Sequence, residues 1–274
     1  MTTRALRSIC HRLTPDSTVL FLQNGLGVVE EVNQKVFPDP RHRPHYICGI
    51  FSHGLTHKAA FQVYYHGVGA TILGLPTNKT RDIRDKDMDI GPSTDYLLRI
   101  LTSPSPLMAV SKTPASFQLH QLDKLAVNSV INPLTTVMNC KNGELIHNYN
   151  STRIMWQLLK EISSVFCALP ELQDILDVRN RFPPERLRWL ITRVASKTAD
   201  NTSSMLQDVQ AGKSTEIEYL NGYIVRRGDE LGIECVANSI LKHLPPRERC
   251  SREKNIIVVE GLRLREFLLF ISSV

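Results

Sequence analysis

Near Pro114 the chain changes character, and no single layer of secondary structure accommodates both sides of that change. Before it, short apolar runs are cut by glycines: Ser17-Thr-Val-Leu-Phe-Leu-Gln23 closed by Asn24-Gly25, then Tyr46 to Phe51, Phe61 to His66, Ala70 to Gly74, and a short piece near Leu107 to Val110. Continuous apolar runs of this length, bounded by turn residues, predict strands, the first of them buried on both faces. Helical spacing from Val28 to Phe37 and from Thr94 to Leu101 sets helices among them. After Pro114 strand signals vanish and helical periodicity runs to about Leu244. The expected fold class is α/β followed by all-α, with an α/β unit over 1–114 and a helical unit over 115–274. Pro76 to Pro92 and the Pro/Ser-rich Thr102 to Pro106 read as loops. Beyond Leu244 the tail is atypical: Pro245-Pro246 breaks the pattern, and a charged run, Arg247 to Lys254, precedes strand-like Ile256-Ile-Val-Val259.

Composition narrows the classes. A chain of 274 residues with 42% hydrophobic and 22% charged residues can build a core without staples. Its net charge of +6 and pI near 9.0 suit an anionic partner. The basic residues are scattered without repeated basic-aromatic motifs, which sets an anionic small molecule ahead of nucleic acid. Six cysteines show no C-x-x-C and nine histidines show no H-E-x-x-H, so reduced thiols and no metal site are expected. No apolar run approaches the length of a bilayer span. Met1 to Leu13 carries Arg and Ser/Thr without an acid, which suits a mitochondrial presequence. It equally suits an amphipathic helix with Leu6, Ile9, Cys10 and Leu13 on one face.

Three features carry chemistry. Lys124, Asn128 and Asn132 recur every four residues within Leu122 to Thr135, which places them in an arc of roughly 80° on one side of a helix. Leu122, Ala126 and Val130 fall on the opposite side, with Val127 and Ile131 flanking the strip. One reading is a strip of hydrogen-bonding groups facing a cleft; the other is an ordinary polar face, with Asn132 ending or kinking the helix before Pro133. A strand followed by Gly25-Leu-Gly27 and a helix is the context of a dinucleotide phosphate loop. Position 30 is Glu rather than a third glycine, so it also reads as a plain turn, while Asn24 sits where open α/β sheets place ligands. Lastly, Ser204 and Glu216 lie on polar segments joined by a loop at Ala211-Gly-Lys213. A carboxylate there facing Lys124 would hold the ammonium and keep it protonated, ready to polarise a carbonyl. Capping or surface roles account for the same two residues.

Together these segments resemble the ketopantoate reductase (2-dehydropantoate 2-reductase) family. Gln23-Asn-Gly-Leu-Gly27, Gly49-Ile-Phe-Ser-His-Gly54, His66-Gly-Val-Gly69, Lys124 to Thr135, Asn139-Cys-Lys-Asn-Gly-Glu144, Ser203-Ser-Met-Leu-Gln-Asp208 and Thr215 to Gly222 stand in the family's order and approximate spacing, from about residue 4 to about residue 243. The resemblance implies a Rossmann-type dinucleotide-binding domain followed by a helical domain of the 6-phosphogluconate dehydrogenase C-terminal-like type. It implies NADPH-dependent reduction of ketopantoate, or a related 2-oxo acid, to the 2-hydroxy acid in pantothenate biosynthesis. Position by position it implies Lys124 as general acid, Glu216 as the carboxylate pairing with it or with substrate, Asn128, Asn132, Asn142 and Ser204 as substrate-binding groups, and Asn24 at the cofactor junction.

Family members begin with a strand and a G-x-G-x-x-G loop that this chain lacks. The expectation is an incomplete Rossmann-type unit whose first helix is Met1 to Leu13, with an exposed sheet edge and impaired NADP binding. The expected partner is a small 2-oxo acid, with neither nucleic acid nor membrane, in a homodimer. The expected compartment is the cytoplasm, with the mitochondrion as alternative. The competing reading is a non-catalytic or truncated relative acting as a binding or assembly module.

Overall fold

A computed structural model describes residues 2–60, 62–76, 90–103, 107–173, 175 and 178–244. Most of the loop expected over Pro76 to Pro92, part of the Thr102 to Pro106 connector, Phe61, Cys250 and the tail after Leu244 lie outside the described residues.

The first part is a small layered α/β unit. Helix α1 (Thr2–Ile9) leads to strand β1 (Thr18–Phe21), helix α2 (Val28–Lys35), strand β2 (His45–Phe51), a hairpin of β3 (Gly54–Ala59) and β4 (Gln62–Gly67), strand β5 (Thr71–Gly74), helix α3 (Pro92–Thr102) and strand β6 (Ala109–Ser111). Four strands form one sheet in the order β1-β2-β5-β6, and the hairpin stands as a separate pair. β1 runs parallel to β2, with Val19 opposite Tyr46, because helix α2 carries the chain back between them. The sheet is mixed, since β2 and β5 are antiparallel. Between those two the chain makes a hairpin instead of a helical crossover, which returns it in the opposite direction. Residues 54–59, outside the strand-like runs of the sequence, are the first arm of that hairpin.

The second part is helical: α4 (Pro114–Met138), α5 (Glu144–His147), α6 (Tyr149–Ala168), α7 (Val178–Arg181), α8 (Pro184–Lys197), α9 (Ser204–Gln210), α10 (Asn221–Leu231) and α11 (Val236–His243). α4 begins with Pro114 in its first turn and Thr113 as cap, its hydroxyl accepting from Ser116 N at 3.4 Å. It ends at Asn139 in the left-handed region (φ 49°). From Leu125 to Thr136 almost every side chain is buried, as suits a helix that α6, α8, α9 and α11 surround. Its N-terminal turns lie against the sheet: a Cβ on Gly74 would fall 2.2 Å from Phe117 Cγ, so only glycine admits the helix there.

α4 also runs through Pro133, so of the two readings, an end or a kink before Pro133, the end is ruled out. Proline has no N–H for the carbonyl four residues back. That carbonyl, Ser129 O, accepts instead from Asn221 Nδ2 at 2.9 Å.

Apolar packing falls into separate clusters. One joins Leu122, Leu125, Val130, Leu158, Phe166, Phe182 and Ile224 in the helical part; another joins Leu6, Phe21, Val32, Phe37, Ile50 and Phe117 between the sheet, α1 and α2. No helix among the described residues is long and apolar enough to cross a membrane.

Candidate active site

The C-terminal ends of parallel β1 and β2 point toward α4, the position at which open α/β sheets bind ligands. A cleft lies there, lined among others by Gln23 and Asn24 after β1, Gly49 on β2, and Gln121, Lys124 and Asn128 on α4.

Lys124 reaches across from α4 and donates to the carbonyl of Phe51, the last residue of β2, at 2.7 Å. Burial brings its pKa down to about 8, although the opposing charge of Glu216 acts to raise it. The carboxylate was expected to keep the lysine firmly protonated. Burial instead outweighs it and leaves the ammonium ready to give up its proton near neutrality. Glu216 does not touch Lys124; both of its carboxylate oxygens accept from Asn24 Nδ2, each at 3.1 Å. That donation fixes the orientation of the Asn24 carboxamide. The pKa of Glu216 is itself raised, by burial first, against the Asn24 hydrogen bond and the Lys124 charge, which lower it. Nearby Asp208 raises it further.

Of the seven sequence positions singled out, the structure joins Asn24 with Glu216 directly and gathers Asn24, Lys124 and Asn128 around one cleft. Asn132, buried one helical turn beyond Asn128, donates to Ser204 Oγ at 3.4 Å. Asn142 is not brought to the cleft. It lies past the C-terminal end of α4 and is committed to a turn: its Nδ2 donates to Thr198 Oγ1 at 2.9 Å and its backbone N to Asn201 O at 3.1 Å.

Three contributors escaped the sequence reading. Gln121 stands three residues before Lys124, so extending the strip back by one turn would have found it. Gln23 adjoins Asn24 and carries no periodic signal. The Phe51 contribution is a backbone carbonyl, which no side-chain pattern announces.

The donor set fits the reactive end of a nicotinamide cofactor: the carboxamides of Gln23 and Asn24 stand beside the apolar Leu26, Ile50 and Leu125. The turn at Gly25 and Gly27 opens α2, whose first turn carries Glu30 and Glu31. Two carboxylates at a helix N-terminus oppose an anion.

Comparison with known proteins places these residues in context. The family described as "Ketopantoate reductase PanE/ApbA" matches residues 1–78, and its "C terminal" counterpart matches residues 116–244. The 2-dehydropantoate 2-reductase of Vibrio cholerae is 31% identical over 237 residues, covering 86% of this chain and 70% of that one. Among solved structures, a probable 2-dehydropantoate 2-reductase from Bacillus subtilis superposes with a TM-score of 0.64 at 24% identity, over 87% of this chain and 71% of that one. D-mandelate dehydrogenase in complex with NADH gives a TM-score of 0.66 at 21% identity, over 89% and 73%.

Proposed function

The chain belongs to the ketopantoate reductase family, and on that premise we propose that it reduces ketopantoate, or a related 2-oxo acid, to the 2-hydroxy acid in the cleft between Asn24 and Lys124. The observation that carries this reading is the Lys124 ammonium, buried, anchored on Phe51 O and tuned to about 8. An acid with a pKa near the working pH transfers its proton most effectively. One of its three N–H groups is held by Phe51, which leaves two for an oxygen in the cleft. As charge develops on the substrate's carbonyl oxygen, Lys124 stabilises it and then donates the proton. Asn128 lies one turn further along the same face and is assigned to the substrate carboxylate. Asn132 and Ser204, paired beyond it, are assigned to a hydroxyl at the far end of the substrate. Asn142, held by Thr198, is left out of this assignment. Glu216 keeps Asn24 oriented toward the junction of substrate and cofactor.

The cofactor is a nicotinamide dinucleotide, which supplies the hydride when bound at the Asn24 end of the cleft. We assign NADP from the family resemblance, and weak affinity for it in this polypeptide, because the sequence carries no G-x-G-x-x-G run and Gly25-Leu-Gly27 lacks the third glycine. The boundary between the α/β and helical units is placed near residue 115.

The test is ketopantoate-dependent oxidation of NADPH by the purified chain and by Lys124→Ala. The wild-type chain is expected to turn over at high NADPH, and the variant to lose about 10²–10⁴-fold in kcat. A folded chain without turnover at saturating NADPH and ketopantoate would overturn the proposal.

A further inference from the structure

Leu26 and Tyr219 exchange places between the two parts of the molecule. Leu26, in the turn after β1, packs against the apolar cluster of the helical part. Tyr219, in the short 3₁₀ turn Ile217–Tyr219 that follows Glu216, packs against the cluster of the α/β part. The two are joined through their backbones, Leu26 N donating to Tyr219 O at 2.9 Å. The phenol then reaches α2, where its O–H donates to Glu31 Oε2 at 2.5 Å. Glu31 is held from its other side by Lys35 Nζ at 2.8 Å. The approach is close enough to dictate a glycine: a Cβ on Gly25 would lie 2.4 Å from Tyr219 O, and Gly25 has φ +84°.

Asn24 immediately precedes this junction on one strand of the chain, and Glu216 stands three residues before Tyr219 on the other. From this geometry we infer that Tyr219 is a positioning residue, a latch whose bonds to Leu26 and Glu31 clamp the Glu216 turn onto the Asn24 turn and so set the Asn24–Glu216 pair and the closure of the cleft over Lys124. The inference deepens the reductase reading but does not depend on turnover. Alignment of an Asn with both oxygens of a carboxylate requires both backbones to be held. Among the described residues the Leu26–Tyr219 contact is a direct backbone bond between the two turns, and the phenol is the side chain that extends it to α2.

Two variants test it, Tyr219→Phe, which keeps the ring, and Glu31→Ala, which removes the acceptor from a half-buried position of α2 outside its apolar cluster. Both are read without cofactor or substrate, by hydrogen exchange of the Leu26 amide and by titration of Lys124 in ¹³C-lysine-labelled protein assigned with Lys124→Arg. Each variant is expected to speed Leu26 exchange at least tenfold and to move the Lys124 midpoint upward from about 8, because an unlatched cleft admits water. If the chain turns over, kcat falls about tenfold in each and the basic limb of its pH profile moves with the lysine. Exchange and lysine midpoint unchanged in both variants would overturn the latch while leaving the reductase reading intact. Changed exchange and midpoint without any turnover would support the latch and count only against the reductase reading.

Discussion

Burying an ammonium without a carboxylate in contact costs stability, and Lys124 makes that cost measurable. The unfolded lysine titrates at 10.5 and the folded one at about 8, lowered by burial. Between those values the unfolded chain binds a proton that the folded chain does not, so this group makes stability rise with pH across that window. Below about 8 the fold carries the whole cost, on the order of 3 kcal/mol at 1.36 kcal/mol per pKa unit. Lys124→Met is therefore expected to unfold at higher urea than expected from its lost Phe51 contact, with its advantage over wild type largest at pH 7 and shrinking toward pH 10.5. Urea titrations at pH 7, 9 and 10.5 check this, and a difference flat with pH would contradict it. Lys124 and Asn128 were legible from their four-residue spacing, because such spacing alone places two groups on one helix face. The acidity of the lysine was not legible. The polar segment around Glu216 suggested a carboxylate that keeps it charged, whereas the surroundings that desolvate it come from β2, α4 and the Asn24 turn together.

At the scale of elements, α4 shows how a local signal is overridden. Asn132-Pro133 reads as a helix end, and in an isolated peptide the unpaired Ser129 carbonyl would favour one. Here Asn221 Nδ2 takes that carbonyl at 2.9 Å and also donates to Asn238 Oδ1 at 3.0 Å. Asn238 in turn donates to Glu161 Oε2 at 2.7 Å, and Glu161 accepts the first N–H groups of α11, from Ala237 at 2.8 Å and Asn238 at 3.0 Å. One buried network thus closes the gap in α4 and caps α11. Asn221→Leu should cost about 2–4 kcal/mol by leaving Ser129 O and Asn238 Oδ1 without their Asn221 donor in the interior. Pro133→Ala restores an N–H for Ser129 O and should recover part of that loss. A double-mutant cycle by chemical denaturation reads the coupling, and strict additivity would show that Asn221 does not serve the proline gap. Strands β1, β2, β4, β5 and β6 were legible as apolar runs bounded by turn residues, whereas β3, Gly54–Ala59, was not. The antiparallel pairing of β2 with β5 was not, because direction depends on whether a hairpin or a helix lies between.

For the whole molecule, the site exists only where the two parts meet: Asn24 hangs from the sheet, Lys124, Asn128 and Glu216 from the helices. A ligand that bridges them binds the folded chain and not the unfolded one, so ketopantoate or pantoate at a hundred times its Kd should add about 2.7 kcal/mol of stability. Calorimetry of wild type and of Asn128→Ala measures it, the variant losing most of the shift; equal shifts in both would place the ligand elsewhere. The two-part class, the polar strip on α4 and the family resemblance were determined by sequence alone, since periodicity and residue spacing are properties of neighbouring positions. Tertiary structure alone decided that the Asn24 carboxamide donates to the carboxylate of Glu216, 192 residues away, that Asn142 turns away to Thr198, and that Leu26 and Tyr219 trade places. The reason is physical: desolvation and long-range hydrogen bonds are set by every element packed around a group, and no local stretch of sequence contains that sum.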